Sequence, residues 1–77
     1  MKLNEAIAKR LSAILEERNL TPYAVAQLGG LDKQVVYAVV RCEYKKVSTD
    51  TVYQIAATLD MSLQEFFADP VFKDISD

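Results

Sequence analysis

Apolar side chains return at every third or fourth position in the first part of the chain. Leu3, Ile7, Leu11, Ile14 and Leu15 form one such stripe, with Lys9, Arg10, Glu16 and Glu17 between them. This spacing predicts an amphipathic helix from about Leu3 to Arg18. Asn19 can adopt the left-handed conformation that stops such a helix. Thr21-Pro22 reads as an N-cap followed by proline at the first helical position, where a missing N–H costs nothing. A second helix then runs through Tyr23, Ala24, Val25, Ala26, Gln27 and Leu28. The only two glycines, Gly29 and Gly30, end it, and a tight turn between two close helices favours residues without a side chain. Leu31 is expected to turn inward and Asp32 to cap a third helix from Lys33 to about Cys42. Val36, Val39 and Val40 form the buried stripe of that helix.

The second half repeats the grammar. Glu43 to Val47 is a polar connection, and Ser48 is an N-cap with Asp50 in the first turn, where the helix dipole favours a negative charge. Val52, Ile55, Ala56 and Leu59 mark a fourth helix, broken at Asp60. Ser62-Leu-Gln-Glu65 has the form of a capping box and opens a short fifth helix expected to carry Phe66 and Phe67 inward. Pro70 ends it. The expectation is an all-α, five-helix domain over residues 1–69, followed by a short tail, residues 70–77, that either docks through Phe72 or frays.

Composition removes most chemistry. The chain of 77 residues contains no histidine and a single cysteine, Cys42. That excludes Ser-His-Asp and Cys-His nucleophilic machinery, HExxH zinc sites and Cys/His metal clusters. Two glycines cannot form a phosphate-cradling GxGxxG or GxxxxGK loop. The reading is therefore of a non-enzyme with no cofactor and no metal. A lone thiol fits a reducing compartment, and Cys42 reads as a small packing residue rather than a redox sensor. No apolar run is long enough to span a bilayer, and the first residues do not resemble a secretory signal. A cytoplasmic location follows as an expectation.

The formal net charge of -2 hides a division. Residues 1–46 hold eight basic side chains against five acidic ones, a net +3, and residues 47–77 hold one against six, a net -5. An anionic partner is steered by the local field and not by the sum.

A short helix, a glycine turn and a third helix with a polar outer face make a helix-turn-helix by geometry. From about Leu11 to Phe67, "LSAILEERNLTPYAVAQLGGLDKQVVYAVVR" followed by "STDTVYQIAATLDMSLQEFF" resembles the Cro-like, phage-repressor (XRE) family of helix-turn-helix proteins. The matching features are Ala26 four residues before Gly30, Leu31 directly after it, Val36 as the first buried residue of helix three, and the pattern SxxTVxxIAxxLxxSLxEFF. Cys42 stands where that family often has glycine. The resemblance implies a lambda-repressor-like DNA-binding domain in which helix three enters the major groove of double-stranded DNA and helix two starts against a phosphate. Carried over position by position, it places Lys33, Gln34, Tyr37 and Ala38 toward bases. Lysine can donate to guanine O6 or N7, glutamine can pair with adenine through two hydrogen bonds, and an alanine methyl can meet that of thymine. Arg41, Lys45 and Lys46, together with Thr21 and Tyr23 at the start of helix two and Thr49 at the start of helix four, suit phosphates.

The functional expectation is a transcriptional regulator, a repressor, binding a pseudo-palindromic operator as a homodimer, with a protein partner or anti-repressor as a further possibility. The rival is a protein-interaction module on a helix-turn-helix scaffold with weak or no DNA binding, which the acidic balance and the extra valines Val35 and Val40 would suit.

Overall fold

The computed structural model of the protein describes residues 1–76. It contains α1 (Leu3–Arg18), α2 (Pro22–Gly29), α3 (Lys33–Val40), α4 (Thr49–Thr58) and α5 (Leu63–Phe67), followed by a 3-10 helix, Pro70–Asp74. The starts of α2, α3, α4 and α5 are each fixed by a side chain expected there. Thr21 Oγ1 accepts from the Ala24 N–H at 3.0 Å, Asp32 Oδ1 from the Gln34 N–H at 2.8 Å, Ser48 Oγ from the Thr51 N–H at 3.1 Å and Ser62 Oγ from the Glu65 N–H at 3.0 Å. Each contact satisfies one of the donors that a helix start leaves without a partner.

The ends are equally local. Asn19, Gly30, Cys42 and Asp60 all have φ near +60°, the left-handed conformation that lets the chain turn back on the last carbonyls. The Glu43 N–H, for example, donates to the Ala38 carbonyl at 2.8 Å. Helix α3 stops at Val40, two residues before the expected end, because Arg41 caps it and Cys42 takes the left-handed position.

The two glycines divide their work. Gly30 supplies the positive φ of the turn, and a side chain there would point into open space. Gly29, still helical, lies against α4: a Cβ on it would sit well inside contact distance of Thr58 Oγ1, and 3.1 Å from both Thr58 Cγ2 and Leu31 Cγ. The pair is adjacent because the close approach and the turn follow one another.

The core gathers Ile7, Leu11, Ile14 and Leu15 of α1 with Val25, Ala26, Val36, Val39, Val52, Ile55, Ala56, Leu59 and Phe66. Helix α3 packs against both α1 and α2, so its outer face is held by two supports. Three expectations for apolar positions are corrected. Leu3, placed on the stripe of α1, is 44% exposed, on the wall of an open cleft between the first turn of α1 and the connection that follows α3. Phe67, expected inward with Phe66, is 37% exposed, because a helix of five residues has one buried face and Phe66 occupies it. Val40 is half-buried at the edge of the core and not within it.

Residues 70–74 pack on α1, where Phe72 meets Phe66 and Phe67 at ring-centroid distances of 6.1 and 4.8 Å. Arg10 fastens this region. Its Nε donates to the Phe66 carbonyl at 2.8 Å, one terminal nitrogen donates to the Glu65 carbonyl at 3.0 Å, and the other meets Asp69 Oδ2 at 3.2 Å. Arg18 does the same for α4, donating to the Leu59 carbonyl at 2.6 Å. Two of the eight basic residues in the first half thus serve helix ends, where a cation also suits the dipole.

Glu65 closes the capping box by accepting from the Ser62 N–H at 2.9 Å. That backbone hydrogen bond, and next the Ser62 hydroxyl, hold its carboxyl below the usual carboxylate range. A carboxyl whose pKa is lower folded than unfolded stabilises the fold above the unfolded value, and the contribution is lost as pH falls through the folded one. Glu65→Gln should therefore show a smaller decline in urea midpoint than the parent between about pH 6 and about pH 3. Equal declines in parallel denaturation series would show that the carboxylate contributes nothing.

Candidate nucleic-acid interface

The Thr21 cap and Pro22 begin α2 so that Tyr23, 49% exposed, stands at its first turn. The Tyr23 hydroxyl accepts from Gln27 Nε2 at 2.7 Å, one turn along the same helix. Across the turn, the Asp32 cap starts α3 so that Lys33 and Gln34 are exposed on its first turn, with Tyr37 half-buried one turn later. The Arg41 guanidinium lies over the Tyr37 ring at 4.9 Å from its centroid. This cation–π contact restrains both side chains in an i, i+4 arrangement. Tyr23, Lys33, Gln34, Tyr37 and Arg41 line one open groove of about 460 Å³. Five residues expected from the sequence to touch DNA are thus brought together by α2 and α3.

The remaining candidates fall elsewhere. Ala38, expected to face bases, is only 6% exposed. It sits on the part of α3 that the chain covers, so its methyl is not offered to a groove. Lys45 and Lys46 are exposed, but line a second cleft with Lys2, Leu3, Asn4, Ile7 and Val47. Thr21 is exposed and its hydroxyl is already engaged as the cap of α2. Thr49 is exposed as the first residue of α4, where unpartnered N–H groups favour an anion.

One groove residue was not foreseen. Glu43 completes the lining beside Arg41, brought there by the left-handed turn at Cys42. A carboxylate at such an edge can accept from cytosine N4 and disfavours a close phosphate. Its position depends on how α3 ends, which the local pattern of charges does not reveal.

Among the described residues, no group of three or more Cys, Asp or Glu side chains is placed to hold a metal ion, and no helix is long and apolar enough to cross a membrane. Comparison with known proteins adds a direct finding. The Cro/C1-type HTH DNA-binding domain matches residues 10–70. The chain belongs to that family. The Cro/C1-type domain is also similar to a solved structure described as the crystal structure of the prophage Lp1 protein 11, at 29% sequence identity and a TM-score of 0.79. The similarity covers 97% of this chain and 100% of that one. No match was found among curated proteins. The matched residues span α2 and α3, and four of the six residues that line the groove, Tyr23, Lys33, Gln34 and Tyr37, lie on those two helices.

Proposed function

We propose that this chain is a transcriptional repressor that reads double-stranded DNA in the major groove with α3 and binds a pseudo-palindromic operator as a homodimer. The observation that carries the reading is the groove itself. Lys33, Gln34 and Tyr37 stand on the free face of a helix anchored by α1 and α2, with Tyr23 and Arg41 beside them. Lys33 and Gln34 are the base readers, through guanine O6 or N7 and through the two hydrogen-bonding atoms of adenine. Tyr37 contributes its ring and hydroxyl, and the stacked Arg41 meets a phosphate. The N–H groups near Tyr23 and Thr49 flank the same backbone, with Lys45 and Lys46 as more distant phosphate contacts. Two copies are invoked because one small module buries little surface and two half-sites multiply specificity.

Selection of duplexes from a random pool at near-physiological salt tests this. The parent should enrich a site with two related halves about one helical turn apart. Lys33→Ala and Gln34→Ala should each cost about 1 to 3 kcal/mol of binding and relax preference at separate positions. Lys45→Ala should instead weaken all sequences alike. An unchanged preferred site in the Lys33→Ala, Gln34→Ala double variant would reject α3 as the reader. Absence of any enrichment by the folded parent would reject sequence-specific binding itself.

A further inference from the structure

The second cleft lies away from the α3 groove, between the start of α1 and the connection from α3 to α4. Its floor is apolar: Ile7 is buried, Val47 is packed against the core, and Leu3 is 44% exposed in the wall. Its charged lining is of one sign, Lys2, Lys45 and Lys46, and its neutral polar member is Asn4. Asn4 Nδ2 donates to the Tyr44 carbonyl at 2.8 Å, so the connection is tied to α1 and the cleft has a fixed wall. The nearest carboxylate in sequence, Glu5, accepts from the Lys2 N–H at 2.8 Å and does not line the cleft. The volume is about 610 Å³, within the range of sites that take ligands.

From this combination we infer that the cleft docks an acidic amphipathic segment of a partner protein, with apolar side chains over Leu3, Ile7 and Val47 and carboxylates toward the three lysines. An apolar floor alone would accept many partners. Three lysines in the lining disfavour a basic one and favour an acidic one, because like charges brought together at an interface are strongly disfavoured. A phosphodiester backbone would satisfy the lysines but leave Leu3 and Val47 uncovered, since it offers sugar and phosphate and no apolar anchors. An amphipathic helix matches both features, with anchors at i, i+3, i+4 and i+7 and acids on its flanks. This site and the α3 groove share no lining residue, although Lys45 and Lys46 are invoked for both partners, so the two would compete through those side chains alone.

The test uses a designed helical peptide of about 14 residues, four turns, with leucines at i, i+3, i+4 and i+7 and glutamates elsewhere. Its matched control carries lysines in place of the glutamates. Methyl NMR titration of the full chain should shift Leu3, Ile7 and Val47. The glutamate peptide should bind at least about tenfold tighter than the lysine peptide, and Lys45→Glu with Lys46→Glu should weaken it by about tenfold or more. Leu3→Ser, at an exposed position, should weaken it while leaving the core methyl spectrum intact. Equal affinity for both peptides, shifts centred elsewhere, or no binding by roughly 1 mM would overturn the assignment. So would a titration in which duplex DNA, and not the peptide, moves the same three methyls.

Discussion

Phe66→Ala should leave the domain close to unfolding at room temperature. Phe66 is 1% exposed, packs edge-on against Phe67 at a centroid distance of 5.2 Å, lies near Phe72, and carries the Arg10 guanidinium 5.9 Å from its ring centroid. Truncating a buried phenylalanine costs about 3 to 5 kcal/mol. A chain of this length has roughly 4 to 12 kcal/mol in total. The loss should not be uniform, because the same ring supports the 3-10 helix. Hydrogen exchange should show residues 70–76 losing protection ahead of α1, while Phe66→Leu, which keeps most of the volume, should cost about 1.5 kcal/mol or less. A Phe66→Ala variant whose urea midpoint matches that of Phe66→Leu would mean that the aromatic cluster contributes little.

The second large effect is expected at a residue that solvent reaches. Gly29 is exposed, yet the direction a Cβ would take is filled by Thr58, whose hydroxyl donates to the Gln54 carbonyl at 2.8 Å. Gly29→Ala in the parent should destabilise by about 2 kcal/mol, the usual scale of overpacking. In a Thr58→Ala background both Thr58 atoms are gone and Leu31 Cγ, at 3.1 Å, is the remaining close neighbour; with that side chain shifting by a few tenths of an ångström, alanine should be the better helical residue by roughly 1 kcal/mol. The sign of the effect should reverse, a coupling of about 3 kcal/mol in a double-mutant cycle. Additive single effects would show that α2 and α4 do not meet through this pair.

The contrast between these residues indicates which kinds of feature a sequence reveals. Helix starts were legible because Thr21, Asp32, Ser48 and Ser62 act on N–H groups two or three residues away, and the same holds for the polar first turn of α3. Features that depend on distant elements were not. The sequence marks Gly29 as a turn residue, but its role against Thr58 follows from the packing of α2 on α4. Arg10 and Arg18 count as surface charge in a tally, whereas they reach carbonyls 56 and 41 residues away. Ala38, placed toward bases by the family resemblance, is 6% exposed, because α1 and α2 both pack on α3 and their packing decides which of its positions are covered. Glu43 entered the groove through a turn conformation that no spacing encodes.

That turn has a consequence for how the domain can change. Cys42 holds a left-handed conformation that costs a residue with a Cβ about 1 to 2 kcal/mol, and Asp60 holds another. Both lie at helix ends outside the core cluster. Glycine at Cys42 should return about 1 kcal/mol without touching Lys33, Gln34 or Tyr37. The domain therefore carries a reserve of mutational robustness at a helix end, so α3 can accumulate costly substitutions while a single replacement at Cys42, just past its last turn, restores the fold that displays them.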